Sequence, residues 1–457
     1  MTESLSPEDA TLLCATTPEV QLQIGALCRF DGGPLREGTG RLRVEELRTH
    51  LAGRLHRVPR FRQCVRPVPF DLARPVWVDD ERFDLDRHVH VAGLPRPGGP
   101  AELRAFLADL LGRPLAPDRP LWDLWLVDGL DGGDVAVVLR VHHVVADGLS
   151  LLRAAAALLD LEPDPPTEPA RRPWRPTPPP GPATLVVGGR LERERQRAGL
   201  AVAAARALLD PHRAAGALRS ALRAAVTSPP AAARPDLTGR VGRRRDVVWT
   251  SVPLGPLQDL AHHRGATLND VVLTVVSGAL RRCRSDGPTG PARPPHVLVP
   301  VGDAEGGDGN AFSFVVAELP VDEADPGRAL DRVHREMRGR KGSGQSQGMR
   351  SLFSVVDVVP VPLLRRLAPE LLARQPFVDL AVTNLPGWDT PLYLKGARLK
   401  ELHPFITGVG NIACIVGVLS YCGTLGVSVT VDPDVVPDAD RLLTAIEREA
   451  GRLVGGG

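Results

Sequence analysis

Lysine is nearly absent from this chain. Of 56 basic residues only those at 341, 395 and 400 are lysine; the rest are arginine. Tyrosine occurs twice, methionine three times, and aromatic residues make up 4%. The net charge is only +2, so no steering toward nucleic acid is expected. With Ala, Pro and Gly abundant, the arginine bias points to a GC-rich genome more than to a phosphate-binding surface. The run from Arg240 to Arg245 (RVGRRR) reads as a solvated charge run before it reads as a patch for acidic lipid or phosphate. Six cysteines stand at 14, 28, 64, 283, 414 and 422, none in a CxxC or metal-ligand spacing. No metal site is expected, and a reduced cytoplasmic compartment fits. The opening MTESLSPEDATLL lacks a basic region followed by an apolar one, so no signal peptide is expected. Residues 403–431 carry no Asp, Glu, Lys or Arg, yet Gly408, Gly410, Gly417, Gly423 and Gly426 punctuate them. With the alternation in GVSVTV, that predicts buried strands and a turn, not a membrane span.

At 457 residues the chain can bury a large core in two domains. Residues 162–182 (EPDPPTEPARRPWRPTPPPGP) are too proline-rich to form a core. The division read from this is 1–161 as a first domain, 162–240 as linker and connecting helices, and 241–457 as a second domain.

The most informative stretch is 134–152, DVAVVLRVHHVVADGLSLL. Val135, Val137, Leu139 and Val141 alternate with Ala136, Val138, Arg140 and His142, which is strand spacing. From Gly148 the apolar positions change to Leu151, Leu152, Ala155, Leu158 and Leu159, a helical stripe. The junction holds His142, His143, Asp147 and Gly148, the pattern His-His-x-x-x-Asp-Gly. A neutral imidazole held rigidly there can take a proton from an attacking alcohol. Asp147 can orient a histidine directly, cap the helix, or brace the site through an arginine; bracing is the reading preferred here. Gly148 lets the backbone turn and leaves room for a substrate. Adjacent strand residues diverge, so a metal shared by the two histidines is disfavoured. His262-His263 is a control: RGATL follows it, with no Asp-Gly, and it reads as surface helix. His88 and His90 read as structural residues of an exposed strand.

Further signals lie elsewhere. Pro120-Leu121-Trp122 is a rigid turn feeding a strand, with Trp122 a buried anchor. Thr267-Leu268-Asn269-Asp270 opens an apolar helix as a capping box, which suits Asp270, whereas Asn269 can equally face a pocket. Thr383-Asn384-Leu385-Pro386-Gly387 ends a strand, and its hydroxyl and amide can bind an oxyanion or form a polar turn.

Taken in order, these motifs resemble the bacterial wax ester synthase/diacylglycerol acyltransferase family of the CoA-dependent acyltransferase superfamily. The Pro-Leu-Trp, His-His-x-x-x-Asp-Gly, Asn-Asp-Val-Val-Leu, Val299-Pro300-Val301 and Asn-x-Pro-Gly segments carry the resemblance. It departs at 302–308, where GDAEGGD replaces an arginine-bearing stretch, and at Trp388, where the family usually has proline. The resemblance implies an α/β fold of two chloramphenicol-acetyltransferase-like domains with the active site in a tunnel between them. It implies His143 as general base, with His142 positional and Asp147 as structural support. Asn269, Asp270, Thr383, Asn384 and Gly387 would serve substrate binding. Acyl-CoA is the implied co-substrate and a long-chain alcohol or diacylglycerol the acceptor, with no cofactor and no covalent acyl-enzyme. Such substrates imply a peripheral membrane or lipid-droplet surface on the cytoplasmic side. Two other readings stay open: a specialised-metabolism acyltransferase using a CoA or carrier-protein thioester and a hydroxyl or amine acceptor, and a non-catalytic lipid-binding member.

Overall fold

The structure, a computed structural model, describes residues 3–165, 174–209, 236–285, 293–301, 313–342 and 359–455. Residues 166–173 and 210–235 of the predicted linker and the altered 302–308 loop lie outside these residues. In the N-terminal half, β1 (Glu3–Ser4), β3 (Gln63–Arg66) and β4 (Val76–Asp79) form a small sheet. The main strands there are β2 (Gln23–Phe30), β5 (Val89–Gly93), β6 (Trp122–Asp128) and β7 (Val135–His142). Around them run α1 (Pro7–Ala15), α2 (Val44–Arg54), α3 (Pro100–Leu111) and α4 (Gly148–Leu158), and α5 (Pro182–Leu209) follows. The C-terminal half supplies β8 (Asp246–Pro253), α6 (Leu254–His263), α7 (Leu268–Ser285), β9 (His296–Val301), β10 (Ser313–Glu318), α8 (Pro326–Gly342) and α9 (Val361–Ala373). It continues with β11 (Leu380–Trp388), β12 (Tyr393–Leu394), β13 (Ala397–Ile406), β14 (Cys414–Tyr421), β15 (Thr424–Val431) and α10 (Ala439–Gly455).

Two six-stranded sheets organise the molecule, in the orders β12-β13-β2-β7-β6-β5 and β10-β9-β11-β14-β15-β8. The sheets do not divide cleanly by chain order. β13 comes from the C-terminal half yet runs antiparallel to β2, with Ile406 opposite Ile24 and Leu402 opposite Cys28. On its other edge β2 pairs antiparallel with β7, with Gln23 opposite His142.

The alternation in β7 sets two cores. Val135, Val137, Leu139 and Val141 pack with α4 leucines and with Leu419 and Tyr421 of β14. Ala136 and Val138 face Leu103, Leu107, Leu110 and Leu111 of α3. All eight residues of β7 are buried, so the strand is held on both faces. Gly132 and Gly133, at φ +78° each, make the turn before it, a conformation glycine adopts at no steric cost. The uncharged stretch ends as expected, with β14 and β15 joined through Cys422 and Gly423. Among the described residues no helix is long and apolar enough to cross a membrane.

One expectation is corrected. His88 is buried, not exposed: its ring stacks on Trp122 at 4.5 Å and Phe83 at 5.3 Å, and its Nδ1 lies 2.8 Å from the Trp122 carbonyl. Trp122 is the expected anchor, buried and donating its indole N–H to the Phe61 carbonyl at 2.7 Å.

Candidate active site

β7 delivers the histidine pair to the junction of the two halves. The backbone N–H of His142 donates to the Leu121 carbonyl, and that of His143 to the Leu22 carbonyl, each at 2.9 Å. His143 thus sits one residue past the strand, in a turn closed by Val145 N–H donating to the His142 carbonyl at 2.8 Å. Asp147 follows in an extended conformation and is the N-cap of α4, its Oδ1 accepting from Ser150 N–H at 2.7 Å. That satisfies one of the donors a helix start leaves open. Of the three roles open to Asp147, capping is the one its geometry displays. No arginine pairs with it among the described residues.

The two imidazoles live differently. Val144 N–H donates to His142 Nδ1 at 3.2 Å, so that nitrogen is the acceptor and Nε2 carries the proton. Nε2–H then donates to the Thr16 hydroxyl at 2.9 Å, and that hydroxyl donates in turn to the Leu12 carbonyl, also at 2.9 Å. His142 is a neutral clamp between the turn and α1. Burial, with the neighbouring His143, pushes its pKa down to about 3. Burial also lowers the pKa of His143, while its own backbone carbonyl and the Asp147 charge pull partly back. The result is a neutral ring at physiological pH, the form that can accept a proton.

β11 of the other half meets this turn. An added Cβ on Gly148 would lie 2.8 Å from Leu385 Cδ1, so the absence of a side chain lets α4 and β11 touch. Ala381, Thr383 and Leu385 share one face of β11 by strand alternation, the face turned toward α4. Thr383 Oγ1 on that face is buried and has no hydrogen-bond partner among the described residues. Buried hydroxyls are usually satisfied, so this one is a candidate hydrogen-bond donor to a bound group. Asn384 takes the opposite face. Gly387 has a backbone role: a Cβ there would come within 1.9 Å of the Ser420 carbonyl oxygen, and its N–H donates to Ser420 Oγ at 2.9 Å. Trp388 is half-buried against the N-terminal core, and its carbonyl accepts from Cys422 N–H at 2.8 Å.

Residues 5–272 match the wax ester synthase/diacylglycerol acyltransferase catalytic domain, and residues 308–453 match that family's C-terminal domain. The chain belongs to this family. It is an acyltransferase with an α/β fold of two chloramphenicol-acetyltransferase-like halves. A protein of Mycobacterium tuberculosis named "Probable diacyglycerol O-acyltransferase tgs1" is 32% identical over 444 residues, 95% of this chain and 92% of its own length. The solved wax ester synthase/diacylglycerol acyltransferase of Marinobacter aquaeolei VT8 superposes with a TM-score of 0.69 at 24% identity, covering 98% of each chain. The first condensation domain of the calcium-dependent antibiotic synthetase superposes at 0.59 with 18% identity, covering 99% of this chain and 96% of its own, a likeness of fold alone.

Within this acyltransferase Asn269 and Asp270 lie at the start of α7. Asp270 forms the expected capping box: Thr267 N–H donates to its Oδ2 at 2.9 Å and its own N–H donates to Thr267 Oγ1 at 3.2 Å. The same Oδ2 lies 2.8 Å from His334 Nδ1 of α8. Asp270 is buried with its Oδ2 engaged twice, whereas Asn269 beside it is half-buried. The His262-His263 control pair is exposed on α6. Sequence reasoning did not find Thr16 or Leu385. Their partners lie 126 and 237 residues away, and no local pattern marks either one.

Proposed function

We propose that this acyltransferase moves a fatty acyl group from acyl-CoA to a hydrophobic alcohol, diacylglycerol or a long-chain alcohol, giving triacylglycerol or a wax ester. The observation that carries the reading is the half-buried His143 on the turn before α4, whose first residue Gly148 meets β11, the strand whose Thr383 hydroxyl has no partner among the described residues. The imidazole takes the proton of the acceptor hydroxyl as its oxygen attacks the thioester carbonyl. The tetrahedral oxyanion accepts a hydrogen bond from Thr383 Oγ1. Collapse breaks the carbon–sulfur bond, and the imidazolium returns the proton to the leaving thiolate, so ester and CoA are the products. Neither a covalent acyl-enzyme nor a bound metal is needed for these steps. The mycobacterial relative's name favours diacylglycerol as acceptor. Acyl-CoA and acceptor would reach His143 through a tunnel between the halves.

The test is CoA release from a long-chain acyl-CoA with diacylglycerol or a fatty alcohol added, for wild type and His143→Ala. Acceptor-dependent release that falls by about 10²- to 10⁴-fold in the variant is expected. Release that survives the substitution would refute the mechanism. Absence of release with either acceptor would shift the reading to a carrier-protein donor or a specialised acceptor.

A further inference from the structure

On the outer side of α9, leucines recur at helical spacing without a covering partner among the described residues. Leu363, Leu367 and Leu371 are 46%, 40% and 66% exposed, while Val361, Leu364 and Ala368 on the other side are buried against α1. A helix with one apolar face satisfied usually turns polar residues to water on the other. Here the outward stripe is apolar, and arginine borders it: Arg365, paired with Asp71 at 3.1 Å, Arg374, paired with Glu370 at 3.1 Å, and Arg366 between them in the chain.

Beside this stripe stands Phe70, which is 88% exposed. Its backbone is left-handed, at φ +60°, and so is that of Asp71, at φ +49°. Two successive non-glycine residues in that region cost conformational energy, and a fully hydrated ring returns none of it. The turn is nonetheless pinned to α9, because Asp71 Oδ1 pairs with Arg365 at 3.1 Å. A strained turn holding an aromatic ring out into solvent next to an arginine-edged leucine stripe has the composition of an interfacial anchor.

We propose that Phe70 and the Leu363–Leu367–Leu371 face of α9 seat the protein on an anionic phospholipid layer. The arginines meet the phosphates, and the leucines and the ring enter the acyl boundary. This deepens the functional reading, which requires an acceptor dissolved in lipid. The contact is also well placed for it: α9 packs on α1, and Thr16 at the end of α1 holds His142 beside the base. A lipid-seated α9 therefore brings the layer two packed elements away from the reaction.

The experiment is flotation of the full chain with phosphatidylcholine vesicles containing phosphatidylglycerol, and with phosphatidylcholine alone, for wild type, Phe70→Gly and Leu367→Glu/Leu371→Glu. Phe70→Gly relieves the strained backbone, so its folding is protected while its ring is lost. Wild type is expected to float with the anionic vesicles and far less with the neutral ones. Each variant should lose about tenfold in vesicle affinity while keeping its activity on a water-soluble short-chain alcohol. Equal flotation of wild type and both variants would overturn the proposal. So would dissociation of a dimer by the α9 variant, since that would mean a second copy covers this face. His143→Ala should float like wild type, so a failure of catalysis and a failure of docking are separately visible.

Discussion

His142 Nε2–H donates a hydrogen bond to the hydroxyl of Thr16, 2.9 Å away across 126 residues of chain. The first histidine of the motif is thereby occupied on both nitrogens. Thr16→Val removes the acceptor and leaves a buried N–H unsatisfied, at a cost of about 1–3 kcal/mol. The loosened turn should lower kcat more than it raises KM, and Thr16→Ser should restore both. A Thr16→Val enzyme with unchanged kcat and an unchanged melting temperature would remove Thr16 from any positioning role.

Asp147 caps α4. Asp147→Ala should destabilise the protein by about 1 kcal/mol, and Asp147→Asn, which still accepts from Ser150 N–H, by much less. Urea unfolding of the two variants decides this. A fully stable but inactive Asp147→Ala would instead assign the carboxylate to catalysis.

Gly148 and Leu385 share one space. Gly148→Ala drives a methyl to within 2.8 Å of Leu385 Cδ1, and overpacking of this kind costs about 1–3 kcal/mol. Shortening the partner should relieve it, so Gly148→Ala/Leu385→Ala should be more active and more stable than Gly148→Ala alone. A double-mutant cycle with no coupling between the two positions would contradict the close approach.

Acid should act on rate and on stability. The His143 pKa lies below its usual value, so the protein keeps a neutral base further into acid, and the acid limb of kcat/KM should fall below about 6.5. For stability the sign follows from proton binding. The unfolded chain protonates His142 near pH 6.5, whereas the folded chain does so only at about 3. The unfolded state therefore binds more protons between these values. The contribution is fully present above pH about 6.5 and is lost as pH falls toward 3. His142→Gln should flatten that part of the stability profile; an unchanged slope would show that other groups set it.

What could be read in the chain beforehand was local. The alternation of Val135 to Val141, the switch of period at Gly148, the Thr267–Asp270 capping box and the glycine turn before β7 each depend on neighbours within a few residues. What could not be read depends on residues far away. His88 looked exposed because its own strand alternates; its burial comes from Trp122, 34 positions later, and from Phe83. Gly387 looked like a ligand contact, yet its requirement is set by a carbonyl on the neighbouring strand. Thr383 and Asn384 were read together, and alternation sends them to opposite faces of β11.

The pairing of β2 with β13 has a consequence in time. β2 leaves the ribosome early, and β7 with its histidines follows soon after, but the second edge of β2 stays open until Ile406 is made. Synthesis at about 5–20 residues per second leaves that edge bare for tens of seconds. An unpaired edge is a template for the edges of other nascent chains. The strand that completes the sheet beneath the histidine turn is thus among the last to be synthesised, and the half-made protein needs shielding from its own kind until it arrives.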